Sequence, residues 1–258
     1  MSAETMFKRA FVEELGTALK NLDPRWKALA GALGTYGAYK LLSKPVLSQI
    51  WKRMEGHYDL AETEKPIPIE KDEKGADLAW WIDRFKMEHP ETKDVPVYVS
   101  GKVPVSQYVS ELAFKVPGMK KTMEDEWGVT KPGIYLRELA APVALHELGH
   151  VAIDRKIPGI SLLTHGASIL ALAPLAAVLF RKPVATAGFV ERYAPAIAAA
   201  LEIPLLAEEA AASIIAERTL RREGKTGKDI LVPAWLSYAV GLSTVPLATA
   251  GAAILKRL

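Results

Sequence analysis

Residues 141–157 read APVALHELGHVAIDRKI and hold two of the chain's five histidines. His146 and His150 are four residues apart, so on an α-helix both project from one face and reach a common point. Glu147 follows the first of them. In H-E-x-x-H zinc hydrolases a glutamate at this position takes a proton from water and returns it to the leaving amine. The sequence holds no cysteine, so disulfides, thiolate ligands and a cysteine nucleophile are excluded, and a metal must be held by imidazole and carboxylate. The competing reading is a buried helix whose histidines are satisfied within the core.

The flanks favour a metal-binding helix. Pro142 suits a first turn, where its missing N–H has no partner to lose, and Pro158 bounds the far end. Gly149 leaves room for a neighbouring backbone beside the second histidine. Just upstream, KPGIYLRE (131–138) predicts a strand after a Pro-Gly turn, placed to offer an edge to an extended substrate beside the helix.

Two histidines leave catalytic zinc one protein ligand short. The third histidine of the metzincin pattern is absent, because Ile153 and Lys156 stand where glycine and histidine belong. A downstream glutamate is the alternative, from Glu191, Glu202, Glu208, Glu209 or Glu217. PLLAEEAAASIIAERTL stands out among these because Glu208 and Glu209 interrupt an otherwise apolar helix, where an unpaired carboxylate is costly. Glu209 shares a face with Ala212, Ser213 and Ala216, all small enough to pack on the motif helix. Adjacent residues point about 100° apart, so one carboxylate can ligate while the other faces water or supports a ligand. The competing reading is a polar helix face.

These elements sit in a chain of 258 residues that is 50% hydrophobic, with a formal charge of +3 and scattered lysine and arginine. No basic tract points to nucleic acid. The composition divides the chain into residues 1–60, 61–158 and 159–258. The first block predicts an amphipathic helix from Phe7, Phe11, Leu15, Leu19 and Leu22, with Glu4, Glu13 and Glu14 arguing against a cleavable signal peptide. A second helix follows, in which Ala30, Gly34 and Ala38 form a small-residue stripe for close helix approach.

The second block is mixed. It predicts a short strand at Val95–Ser100 and a helix with Trp80, Trp81 and Phe85 on its buried side, with His57 and His89 on the surface. In the third block, residues 157–180 and 230–255 carry no Asp, Glu, Lys or Arg. Each exceeds the roughly 20 residues needed to cross a bilayer core. Alanine dominates both runs, so core helices of a soluble domain are the alternative. The fold class expected is mainly α with a small β element (α+β): a zincin-like motif helix and edge strand among long apolar helices.

The pattern His146-Glu147-x-Gly149-His150, an apolar stretch, then Glu209-x-x-Ala212 resembles membrane-associated gluzincin metallopeptidases. It is similar to the HtpX-type and CAAX-prenyl-protease group, whose second motif is E-x-x-A-D. It is also similar to bacterial neutral zinc metallopeptidases related to YugP, whose second motif is E-x-D-A-S. The resemblance covers roughly residues 130–220 and implies Zn2+ held by His146, His150 and Glu209. It implies Glu147 as general base, with Glu208 or Ser213 as supporting group or alternative ligand. His165 is a candidate transition-state stabiliser, as are Arg218, Arg221 and Arg222.

Two departures stand out, since Ser213 and Ala211 replace the aspartates of the two family patterns. The expected activity is a zinc metalloendopeptidase at or in a membrane, acting on peptide or membrane-protein substrates and in contact with lipid, with an oligomer left open. Two other classes remain. One is a structural or membrane-inserting assembly component, as in a virion or secretion apparatus, with an idle zinc motif. The other is a soluble helical metallohydrolase.

Overall fold

A computed structural model of the chain describes residues 21–69, 76–115, 117–181 and 188–257. The helix expected over 7–22 lies outside these residues except for its last two. The described chain is mainly helical with two small sheets. In order, the elements are α1 (Pro24–Glu55), β1 (Asp59–Leu60), β2 (Ile67–Pro68) and α2 (Ala76–Glu88), then a 3-10 turn at Pro90–Thr92. They continue with β3 (Val97–Val99), β4 (Gln107–Val109), α3 (Glu111–Phe114), α4 (Pro117–Trp127), β5 (Gly133–Leu136) and β6 (Glu138–Leu139). The motif helix is α5 (Ala141–Lys156), followed by α6 (Ile160–Leu170), α7 (Leu172–Phe180), α8 (Phe189–Arg222), α9 (Lys228–Leu242) and α10 (Thr244–Arg257).

The chain forms two compact units, each assembled from separate stretches. One comprises the chain up to Lys44 with Ala167–Ile203 and Val240–Leu258; the other comprises Pro45–Gly166 with Pro204–Ala239. His146, His150, Glu208 and Glu209 all belong to the second, whereas the candidates Glu191 and Glu202 belong to the first.

In the second unit a four-stranded sheet has the order β2-β3-β5-β4, with β3 and β5 parallel and the other pairs antiparallel. β1 and β6 form a separate antiparallel pair. The strand expected from GIYLRE is present as β5, but β3 and β4 flank it, so both its edges are occupied. Among the described residues, the outer edge beside the motif helix belongs to β4. Sequence periodicity missed this strand because three residues show too little alternation to register.

The sheet packs on α5 and α2 through Phe85, Ile134, Leu136, Leu145, Leu148 and Val151, all at most 0% exposed. Helix α2 buries Leu78, Ile82 and Phe85 at three- and four-residue spacing, which turns Trp80 outward at 52% exposure. Trp81 is packed against the core as expected, whereas Trp80 is not. His57 is exposed, but His89 is half-buried with its ring 4.4 Å from that of Phe85.

The first unit has a core of small residues, including Ala28, Ala32, Val178, Ala194 and Ala252. Helix α1 approaches α10 so closely that a Cβ added at Gly31 would lie 2.2 Å from the Gly251 carbonyl oxygen. The stripe that does this is Ala28, Gly31 and Ala32, rather than the expected Ala30, Gly34 and Ala38; Gly34 has open space beside it. Both stripes have helical spacing, and only the partner distinguishes them. Large apolar side chains of this unit point outward instead, among them Trp26, Leu41, Leu42, Phe180 and Phe189.

Two stretches, Leu163–Phe180 and Lys228–Arg257, are long and apolar enough to cross a membrane. Only 22% of the first and 17% of the most apolar part of the second is buried, unlike the core helices of a soluble domain.

Candidate metal centre

Helix α5 starts with Pro142 in its first turn and ends at Lys156, two residues before Pro158. Nine consecutive residues, Ala144 to Ala152, are buried, so the polar side chains of the motif are largely withdrawn from bulk water. Their partners come from α8. A Cβ at Gly149 would lie 2.8 Å from the Ala212 carbonyl oxygen and 3.0 Å from its Cα, so only glycine permits this approach. Ala212 and Ala216 are fully buried, as their position on the Glu209 face implies.

This contact brings three ligand atoms together. His146 Nε2 lies 3.2 Å from His150 Nε2 and 3.2 Å from Glu209 Oε2, and His150 Nε2 lies 3.6 Å from the same oxygen. Glu209 Oε2 is buried and accepts no hydrogen bond of acceptable geometry. Two imidazole nitrogens and an orphaned carboxylate oxygen thus converge on one point, and the buried group could hold a metal ion. A tetrahedral ion with bonds of about 2.0–2.2 Å separates its ligands by roughly 3.3–3.6 Å, close to this spacing.

The outer nitrogens of both imidazoles are engaged. His150 Nδ1 is 3.2 Å from Glu208 Oε1, which also accepts from Ser161 Oγ at 2.8 Å, while Thr164 Oγ1 donates to Glu208 Oε2. His146 Nδ1 is 3.1 Å from Ser213 Oγ. Neighbouring Glu208 and Glu209 therefore address opposite nitrogens of His150, with Glu208 away from the point of convergence. Such outer partners fix ring orientation and raise ligand basicity. Ser161 and Thr164 lie in a run that sequence alone marks only as apolar, and nothing in the sequence singles them out.

Charge follows from burial and neighbours. Burial pushes the Glu147 carboxyl up to about 8, although His150 and the Tyr108 backbone N–H act against it. Burial alone would lower His150, but Glu208 and Glu209 outweigh it and raise the imidazole to about 10. His146 is held below its ordinary range, mainly by burial, with the charge on His150 adding to the effect. Burial works to raise Glu208 and Glu209; the histidines against them, helped at Glu208 by Thr164 and Ser161, win and hold both near 2. Without an ion, a proton on His150 is the cation that balances these carboxylates.

The remaining candidates have other partners. Glu191 lies 3.7 Å from Lys256 Nζ, Glu202 accepts from Ser168 Oγ at 2.6 Å, and Glu217 accepts from the Gly227 N–H at 2.8 Å. His165 is exposed with Nδ1 2.7 Å from the Ser161 carbonyl oxygen, and it forms no hydrogen bond or ion pair with the cluster among the described residues. Arg221 pairs with Glu217 and Arg222 with Glu88, while Arg218 is exposed. One residue outside the sequence reading, Tyr238 of α9, is within electrostatic reach of Glu209, Glu147 and Glu138.

No family model matches the chain, and no curated protein or solved structure does either.

Proposed function

We propose that this chain is a zinc-dependent metallopeptidase held at or in a membrane. The observation that carries this reading is the convergence of His146, His150 and Glu209 on one buried point, with Glu147 next to the first ligand in sequence. The donor set suits zinc: two imidazoles and a carboxylate with no thiolate leave a fourth position open, as catalytic zinc requires. Bound there, zinc would supply a Lewis acid that polarises a carbonyl and makes water nucleophilic near neutral pH.

The chain's own residues would do the rest. Glu147, in its ionised form, takes a proton from the attacking water and passes it to the leaving nitrogen. Ser213 orients His146, and Glu208 orients His150. β4 is the outermost strand of its sheet among the described residues, a place where an extended peptide can add, and the N–H of Tyr108 on this strand reaches Glu147. The outward apolar side chains and two long apolar stretches support a membrane location.

The test is elemental analysis of purified protein together with peptide hydrolysis. One zinc per chain is expected, with turnover falling about 10²–10⁴-fold in Glu147→Gln while zinc is retained. Protein without zinc above background overturns the reading. Zinc bound with no turnover in the unmodified chain leaves the motif as a structural metal site.

A further inference from the structure

Between α8 and α9, within the second unit, lies a cavity of about 420 Å³. Of the residues at the metal cluster only Ser213 lines it, so it is a separate feature with chemistry of its own. The two helices run antiparallel past it. Near one end Trp235 Nε1 donates to the Leu206 carbonyl oxygen at 3.2 Å. Near the other the Gly227 N–H, just before α9, donates to Glu217 at 2.8 Å. The walls are held at both ends, and their character changes between them.

Toward Trp235 the lining is apolar, from Ile214, Leu231 and Val232. Leu231 is buried, whereas Ile214 and Val232 are each 51% exposed, so the cavity opens outward as a furrow rather than closing as a core void. Toward Gly227 the lining carries Arg218, Arg221 and Lys228 against one acid, Glu217. That acid is already committed to the Gly227 N–H, the Thr226 hydroxyl and Arg221. Of the acids close by in sequence, Glu223 pairs with Arg84 at 2.8 Å, and Asp229 does not line the cavity. Among the described residues Arg218 and Lys228 have no ion-pair partner, so this end carries surplus positive charge.

Lys228 also opens the stretch Lys228–Arg257, which is long and apolar enough to cross a membrane. From Lys228 to Trp235 the furrow covers about 10 Å of α9. That is about two-thirds of one leaflet of a bilayer core roughly 30 Å thick. We infer that this groove holds one anionic phospholipid, its phosphate against Arg218 and Lys228 and an acyl chain along Ile214, Val232 and Trp235. The inference rests on the membrane location proposed above and not on peptide hydrolysis. Cations at headgroup level attract an anionic lipid, whereas a zwitterionic one brings its own cation to the same place. An acidic peptide would meet the same cations, but its backbone N–H and C=O groups would find no partner along the apolar wall, where the one indole N–H is already used.

The experiment uses the full chain released in detergent, with phosphatidylglycerol and phosphatidylcholine of matched acyl chains competing and native mass spectrometry counting the bound lipid. One phosphatidylglycerol per chain is expected, held about tenfold more tightly than phosphatidylcholine, the scale of two cations at a headgroup. The preference should vanish in the Arg218→Gln, Lys228→Gln double variant. Val232→Trp fills the furrow from an exposed position without altering charge, and it should lower retention of both lipids. An unchanged preference in the double variant overturns the proposal. So does displacement of the lipid by glycerol phosphate or by an acidic peptide at equal concentration, which would make the groove a plain anion site or a peptide site. Vesicle flotation separates the two ideas. A chain that floats with phosphatidylcholine vesicles but shows no lipid preference keeps the membrane location and overturns the groove. Selective phosphatidylglycerol retention by a chain that floats with neither neutral nor anionic vesicles keeps the groove and sinks the location.

Discussion

Both compact units bury charged side chains, and they resolve the cost in opposite ways. In the first, Lys256 donates to the carbonyl oxygens of Val178 and Arg181 at the end of α7 and lies 3.7 Å from Glu191. A cation there meets a helix C-terminus and a carboxylate, a match of sign and of donor to acceptor. In the second, His146, His150 and Glu209 present acceptor to acceptor around one point. Removing ionised groups from water is expensive in both places. The Lys256 cluster balances itself with fixed charge, whereas the histidine cluster requires either a proton or an ion. Buried charge alone therefore does not mark a group that could hold a metal ion; acceptors converging on one point do.

Substitutions that separate the two clusters give the largest effects. His146→Ala or Glu209→Gln should weaken zinc binding by more than about 100-fold, beyond what loss of an outer partner costs. Lys256→Met should leave zinc affinity unchanged and lower stability by about 3 kcal/mol, since it strands a buried carboxylate. Zinc titration and chemical denaturation on the same proteins check both, and zinc loss in Lys256→Met would erase the distinction. Glu208→Gln should follow at about 10–100-fold in zinc affinity, because the imidazole keeps its place but loses its orienting charge. Gly149→Ala should cost about 2 kcal/mol, as its methyl meets Ala212 backbone that cannot move aside without shifting α8.

The smallest effect per step is a pH dependence. His150, raised to about 10 without an ion, must release its proton to ligate. Zinc affinity should therefore rise about tenfold per pH unit below that value, measured by competition with a buffered chelator. The sign for stability is the reverse. The contribution of His150 to the metal-free fold is complete below the ordinary histidine range near 6.5 and is lost as pH rises through about 10.

The sequence carried the metal cluster further than it carried the surroundings. His146 and His150 were legible because a helix enforces their spacing, and Gly149 because a missing side chain beside a ligand implies a close neighbour. Glu208 and Glu209 stood out as acids in an apolar run, although only the packing of α8 on α5 assigns them to different nitrogens of His150. The edge position of β4, the hydroxyls of Ser161 and Thr164, and the position of Tyr238 were not legible. Each depends on contacts between residues distant in sequence, and none breaks a local pattern. The small-residue stripe of α1 failed for a related reason, because two faces met the same spacing rule and the partner chose between them.

The pairing of adjacent Glu208 and Glu209 with the two nitrogens of one imidazole has a mechanical consequence. Consecutive helix positions differ by about 100°, so α8 can satisfy both only at one angle about its own axis. Turning the helix by one position would surrender the inner and outer contacts to His150 together. An ion at this point would thus act as a rotational latch, and metal occupancy would report the angular setting of α8.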